Sequence, residues 1–214
     1  MQNFQKNYCP LCNTSGDDFY QDKNQLYFKC PNCLGIFIEK DLRPNRETEL
    51  SRYLKHNNYI EDINFQKFVS PITSSIMRDF ALKDKELDFG AGSGPVISKI
   101  LEDNNYNIVQ YDPFFHNNPK LLNDKYDYIA CCEVIEHFHN PKQEFILLND
   151  LLDKNGKLYC MTNLYNDSID FDSWDYKNDI THIFIYKKET IYWIKEHFGF
   201  TDVKIDGRLI TFYN

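Results

Sequence analysis

Apolar positions recur along this chain at two periods, and the change from one to the other maps its elements. Phe65, Phe68, Ile72, Ile76 and Phe80 follow one another at three- and four-residue steps, the signature of an amphipathic helix. Pro71 lies inside that run, where it either starts the second half of the helix or kinks it. Val96, Ile97, Ile100 and Leu101 give a second helix its apolar face, Phe145, Leu148 and Leu152 a third, and Ile191, Ile194 and Phe198 a fourth, over Lys187 to Phe198 with Gly199 as its stop. Asn140 and Pro141 open the third helix, Gln143 completes a capping-box pattern, and Asn155-Gly156 is its expected end. Between these helices run short apolar stretches of strand character: Glu86 to Phe89, Asn107 to Asp112, Tyr126 to Cys132 and Lys157 to Asn163. Thr201 to Asp206 and Arg208 to Tyr213 are two further strands joined at Gly207. Strands alternating with helices predict an α/β fold around a mainly parallel sheet. The span from Phe114 to Tyr126 is too short for a helix and a strand, so one strand of a regular doubly wound sheet is expected to be missing or vestigial around Lys120 to Leu122.

The turn between the first of these strands and its helix reads Asp88-Phe89-Gly90-Ala91-Gly92-Ser93-Gly94-Pro95. Three glycines in five residues allow positive φ and let bare backbone press against a ligand. Such a turn at the carboxyl end of a strand is where open α/β sheets bind ligands. A dinucleotide fingerprint would need glycine at 95, where proline stands. Asp112 ends the second strand, about 20 residues beyond the glycines, where a carboxylate can accept both hydroxyls of a ribose. Phe114 and Phe115 follow, suited either to an adenine face or to the core.

Cysteines divide the chain differently. Cys9-Pro-Leu-Cys12 and Cys30-Pro-Asn-Cys33 are two C-x2-C pairs with 17 residues between them, a spacing that points to zinc. Four thiolates close a tetrahedral site and leave no position for chemistry. Phe19-Tyr20 and Leu26 to Phe28 are predicted strands flanking a turn at Asp22 to Gln25, so the segment resembles a zinc ribbon. So short a segment needs such a staple. A metal-pinned annex is favoured over a substrate or nucleic-acid reader. Cys131, Cys132 and Cys160 fall in strand cores, where cysteine acts as a small hydrophobe. The resulting division is 1–39 ribbon, 40–84 helical bridge or lid, and 85–214 main domain. If the bridge is a lid, Tyr53, His56 and Tyr59 face the cleft.

With 24 basic and 32 acidic residues the formal charge is −8, which argues against bulk attraction to nucleic acid. No apolar run follows the N-terminus and none approaches a membrane span, so a cytoplasmic protein without membrane association is expected.

Three stretches together carry a resemblance. The D-x-G-x-G-x-G turn, the strand-end Asp112, and Glu133-Val-Ile-Glu136-His137-Phe-His139-Asn-Pro141 resemble, in order, motifs of class I S-adenosylmethionine-dependent methyltransferases, nearest to the ubiquinone-biosynthesis O-methyltransferase type. The stretch Trp174-Asp-Tyr176-Lys-Asn-Asp179-Ile-Thr181-His182 is similar to one in small bacterial methyltransferases that also bear an N-terminal zinc ribbon. The resemblance implies a Rossmann-like doubly wound sheet of that type with a vestigial third strand, plus the ribbon. It implies S-adenosylmethionine contacts over Asp88, Gly90, Ala91, Gly92, Gly94, Asp112, Pro113, Phe114, Cys132 and Glu133, with backbone near the last two meeting the methionine part. Zinc on Cys9, Cys12, Cys30 and Cys33 is expected to be structural.

Methyl transfer from a sulfonium needs an acceptor held in line and, for a hydroxyl, a base. His182 is the first candidate and His137 the second, with Asp179 orienting His182. The expected acceptor is a small molecule bearing O, N or C. An RNA methyltransferase that uses the ribbon to hold its substrate, and a non-catalytic scaffold that keeps the cofactor fold, are the other readings. A nicotinamide oxidoreductase fits worst because of Pro95.

Overall fold

The computed structural model describes residues 7–23, 25–55 and 59–214. His56 therefore lies outside the described residues. The main sheet contains β4 (Glu86–Phe89), β5 (Ile108–Tyr111), β6 (Tyr126–Cys132), β7 (Leu152–Met161), β9 (Asp202–Asp206) and β10 (Leu209–Tyr213), in the order β5-β4-β6-β7-β10-β9. The first four in that order are mutually parallel, and β10 pairs antiparallel with both β7 and β9. A single 3-10 turn, Pro119–Asn123, stands where a regular doubly wound sheet would have its third strand, as the short span implied, and the sheet ends at β5. The Tyr126 hydroxyl anchors this turn by donating to the Leu121 carbonyl at 2.9 Å.

The two faces of the sheet are covered unequally. Helices α2 (Ile63–Asp79) and α3 (Val96–Asp103) bury Val69, Ile72, Ile76, Val96, Ile97 and Leu101 on one face. Helix α2 runs unbroken through Pro71. The carbonyl of Lys67, which a residue-71 N–H would otherwise reach, accepts instead from the Ser70 hydroxyl at 2.7 Å. Helices α4 (Pro141–Leu151) and α5 (Lys188–His197) cover the other face. Helix α4 passes directly into β7, four residues earlier than the Asn155-Gly156 signal suggested. That pair forms a bend inside β7: Asn155 has φ 65°, and a Cβ at Gly156 would sit 2.8 Å from the Asp153 carbonyl.

The N-terminal ribbon has three strands, β1 (Asp17–Gln21), β2 (Leu26–Lys29) and β3 (Ile36–Ile38). Its fourth strand, β8 (Phe184–Ile185), comes from the far end of the chain, with Ile36 opposite Ile185 and Phe37 opposite Phe184. Cys9, Leu11, Phe28 and Phe37 join Phe145, Leu148, Ile191 and Ile194 in one apolar cluster. The ribbon is thus part of the layer that covers the α4/α5 face. Short helix α1 (Arg46–Tyr53), capped by the Asn45 side chain on the Thr48 N–H, links ribbon to α2. Among the described residues no helix is long and apolar enough to cross a membrane.

Beneath the sheet's amino end, Glu86 is 1% exposed, and its carboxyl lies against the buried Tyr128 hydroxyl. Burial pushes the Glu86 carboxyl up to about 9. A carboxyl raised on folding stays protonated in the native state while the unfolded chain has already lost its proton. Its contribution to stability therefore falls as pH rises from about 4.3 toward 9. Glu86→Gln removes this dependence. The variant should gain at least about 1 kcal/mol over the wild type at pH 8, some 2–4 °C in Tm, and much less at pH 5; thermal scans at the two pH values check this.

Candidate active site

Three strand ends meet at the mouth of one cavity of about 810 Å³. After β4 the chain turns through Gly90 at φ 79° and Gly92 at φ 67°, values that a side chain would strain. A Cβ at Gly90 would fall 2.4 Å from a Val134 methyl, so the turn packs against the loop after β6. The Gly90 N–H donates to the Tyr111 carbonyl (2.8 Å) and the Gly92 N–H to Asp112 Oδ2 (3.0 Å). The other oxygen of Asp112 accepts from the Phe114 and Phe115 N–H groups at 2.7 and 3.0 Å. Asp88 is 3% exposed and accepts from the Ser98 hydroxyl at 2.7 Å, which ties β4 to α3. Burial pushes its carboxyl up to about 6. In this arrangement Asp88 braces the turn from below.

Every predicted cofactor residue lines this cavity: Asp88, Gly90, Ala91, Gly92, Gly94, Asp112, Pro113, Phe114, Cys132 and Glu133. So do His137, Asp179 and His182. Of the three side chains expected to face it from the bridge, Tyr53 does, whereas Tyr59 is 65% exposed and is not part of the lining. Trp174 also stays outside, half-buried against Tyr165 and Phe171.

In the same cavity two imidazoles lie with ring centres 4.9 Å apart. His182 Nδ1 is 2.7 Å from the Tyr176 carbonyl, and His137 Nδ1 is 2.8 Å from the Thr181 carbonyl. A carbonyl only accepts, so each Nδ1 carries a proton and the basic lone pair of each neutral ring is on Nε2. Burial holds His137 below the usual imidazole range, in the neutral form a base requires. The expectation that Asp179 orients His182 is modified by these contacts. Asp179 Oδ1 accepts from the Thr181 N–H (3.0 Å) and hydroxyl (2.6 Å), and Oδ2 accepts from Arg52 (2.7 Å). Burial raises the Asp179 carboxyl, but the Thr181 bonds and nearby charges outweigh it and hold the group at about 2. Its bonds to Thr181 and Arg52 fix the loop, its charge acts on the nearby His182, and the carbonyl of Tyr176 holds the His182 ring.

Behind the histidines, Glu136 is fully buried. Its Oε1 accepts from the Tyr176 hydroxyl at 2.6 Å, and its Oε2 has no partner among the described residues. Glu136, His137 and His182 each offer a ligand atom within 4.8 Å of the others, so they could hold a metal ion. Glu133 adopts φ 52°, a left-handed conformation rare for a residue with a side chain, and pairs with Arg208 at 2.6 Å. Burial first, and then the Glu136 charge, push its carboxyl up to about 8 despite that pair.

The four N-terminal cysteines form a separate centre, with their sulfurs within 4.8 Å of one another. Cys9 and Cys33 sulfurs are 3.5 Å apart, and those of Cys12 and Cys30 are 3.3 Å apart, close to the edge of a tetrathiolate tetrahedron (about 3.8 Å for metal–sulfur bonds near 2.3 Å). Contact with Cys30 drives the Cys12 thiol down, and contact with Cys12 drives the Cys33 thiol up. A divalent cation relieves this crowding of negative charge, so the donor set fits a closed metal site.

Residues 49–205 match the family model for the methyltransferase domain. The chain belongs to that family. Its sheet is that of class I S-adenosylmethionine-dependent methyltransferases. The solved structure of human N-acetylserotonin methyltransferase in complex with SAM is similar at 12% identity and a TM-score of 0.55, over 80% of this chain and 60% of that one. An O-methyltransferase family protein from Burkholderia thailandensis gives 11%, 0.52, 77% and 61%, and a SAM-dependent methyltransferase from Archaeoglobus fulgidus 16%, 0.50, 70% and 94%. The chain thus spans less than two thirds of the two O-methyltransferases it resembles here. No curated protein matches by sequence.

Several cavity residues of this chain were not singled out from sequence. Arg46 stacks its guanidinium 4.2 Å from the Phe114 ring centre and donates to the Pro113 carbonyl at 2.7 Å. Glu49 accepts from or donates to His139 Nε2 at 2.8 Å, closing α1 over the loop after β6. Arg208 rests on Phe68 at 4.5 Å. Only Tyr176 carried a signal, as part of the aromatic loop. Asp112→Ala removes the anchor of both floor loops. It should weaken S-adenosylhomocysteine binding at least tenfold, about 1.4 kcal/mol, with the circular dichroism spectrum retained; calorimetry measures it.

Proposed function

We propose that this protein transfers the methyl group of S-adenosylmethionine to a hydroxyl of a small molecule, with His182 as the base. The observation that supports this most is the pairing, in one cavity, of a bare glycine turn held by Asp112 with two imidazoles whose Nδ1–H groups donate to backbone carbonyls. Six acidic side chains (Glu49, Asp88, Asp112, Glu133, Glu144, Asp179) and two arginines (Arg46, Arg208) line the cavity, an acidic excess even with the Glu133 carboxyl pushed up to about 8. That balance favours a cationic ligand and opposes a polyphosphate strand, which sets the RNA reading second.

S-adenosylmethionine bound here would supply an activated methyl on a sulfonium, with its sulfur as the leaving group. The bare glycine turn and Asp112 would hold its nucleoside, with Arg46 over Phe114 at that end. Tyr176, held by Glu136 and Thr162, would shape the wall for the acceptor. The hydroxyl proton passes to Nε2 of His182, whose Nδ1–H stays on the Tyr176 carbonyl and spreads the positive charge. His137 stands next in line to take it.

A metal-assisted variant is favoured by one specific observation, the partnerless buried Oε2 of Glu136 beside the two imidazoles. A divalent cation there would lower the acceptor's pKa and make a separate base unnecessary. Zinc on the four cysteines is assigned a structural part, since a closed tetrathiolate has no open coordination position; its fit rests on the sulfur geometry.

His182→Gln should lower turnover with phenolic or aliphatic hydroxyl acceptors at least 100-fold, about 2.7 kcal/mol, while S-adenosylhomocysteine binds within about threefold of wild type. An unchanged rate removes His182 as the base. Metal analysis after dialysis against EDTA should leave one zinc per chain, held by the cysteines. Restoration of turnover by added Mg²⁺ or Mn²⁺, lost in Glu136→Gln, would decide for the metal-assisted route.

A further inference from the structure

We infer that the cysteine ribbon is the positioning scaffold of the active-site loop that carries Tyr176, Asp179 and His182, and that it acts on the acceptor end of the cavity while leaving the cofactor end alone. The inference rests on the methyltransferase reading above and assigns the ribbon a role within it.

Four sets of contacts carry it. The ribbon sheet is completed by β8, which begins two residues after His182. The Ile38 N–H donates to the Ile183 carbonyl at 3.1 Å, and the Ile183 N–H donates to the Glu136 carbonyl at 3.0 Å. One residue, Ile183, therefore sits between the ribbon ladder and the backbone of Glu136, with His182 directly before it. The Tyr27 hydroxyl, on a side chain with no exposure, donates to the Lys177 carbonyl at 3.0 Å, next to Tyr176. Three ribbon rings, Phe19, Tyr20 and Tyr27, hold Phe171 at centroid distances of 4.9, 5.1 and 5.1 Å, which fixes the start of the same loop. Finally, a Cβ at Gly35 would lie 2.3 Å from the Phe184 ring, so the turn after Cys33 has room only for glycine where β8 passes.

The cofactor end is held by other means. Gly90, Gly92, Phe114 and Phe115 are tied to Tyr111 and Asp112, and Asp88 to Ser98. Loosening the ribbon is thus expected to release one end of the cavity only. The reason the ribbon needs its cysteines follows from size: three short strands bury too little on their own to stay rigid, and a cross-link among Cys9, Cys12, Cys30 and Cys33 fixes the edge against which β8 is laid.

The chain has two tryptophans, Trp174 in the loop and Trp193 on α5. In a Trp193→Phe background Trp174 alone reports on the loop. Two variants test the inference: Cys12→Ser, which opens the metal centre, and Tyr27→Phe, which keeps all four cysteines and deletes only the hydroxyl that reaches Lys177. Three readouts are taken on the full chain: S-adenosylhomocysteine affinity by calorimetry, Trp174 emission, and the hydrogen-bonded Nδ1–H signals of His137 and His182 in protein labelled with ¹⁵N-histidine. The expected result is affinity within about threefold of wild type, emission moved to longer wavelength, and loss of the His182 ring N–H signal, in full for Cys12→Ser and in part for Tyr27→Phe. Unchanged ring signals and emission in both variants overturn the inference. Loss of cofactor affinity in step with the ring signal in Tyr27→Phe also overturns it, because the ribbon would then support the whole fold. Should Cys12→Ser not fold, Tyr27→Phe decides by itself. Wild-type protein that binds no S-adenosylhomocysteine defeats the methyltransferase reading instead, a failure distinct from both.

Discussion

A single carboxylate gathers the floor of the cavity. Asp112 accepts three backbone N–H groups, one from the glycine turn after β4 and two from the turn after β5. Hydrogen bonds to an ionised acceptor are about twice as strong as neutral ones, and here three of them converge on a group only 7% exposed. Both loops are thereby held with their N–H groups and side chains facing one space. Pro113, Phe114, Arg46 and the glycines owe their relative placement to this one residue. Replacing it with a side chain that accepts less would leave two loops with no common reference.

The end of the cavity that carries the two histidines is built differently. Backbone carbonyls of Tyr176 and Thr181 orient the imidazoles, Asp179 and Glu136 hold Thr181 and Tyr176, and the loop is laid against the ribbon. One end comes from residues close in sequence around two strand ends. The other depends on chain segments more than a hundred residues apart, such as Tyr27 with Lys177 and Ile38 with Ile183.

That difference also explains what could be read in the sequence. The glycine turn, Asp112 and the cysteine pairs each have a spacing that a local mechanism demands, and the cavity contains every cofactor residue expected from it. The short span after Phe114 correctly implied that a regular third strand would not form. The carbonyl partner of His182 Nδ1 was not legible, because a backbone carbonyl has no residue type; Asp179, chosen by chemistry, lies close enough to act on His182 by charge while hydrogen-bonding Thr181 and Arg52. Arg46, Glu49 and Arg208 are isolated charges in polar stretches, and only folding brings them to the cavity. The end of α4 was placed late because an Asn-Gly pair serves a strand bend as well as it serves a helix stop, and here it makes the bend.

The missing strand has an effect beyond the cavity. It leaves β5 as the border of the main sheet, where unpaired amides would ordinarily recruit a strand from a neighbouring molecule. This border is only four residues long. Pro113 follows almost at once, and Asp112 folds back to bridge His116, so the main chain curls away before another molecule could extend the ladder. Shortening the sheet has therefore also blunted it, which guards the folded chain against edge-to-edge aggregation.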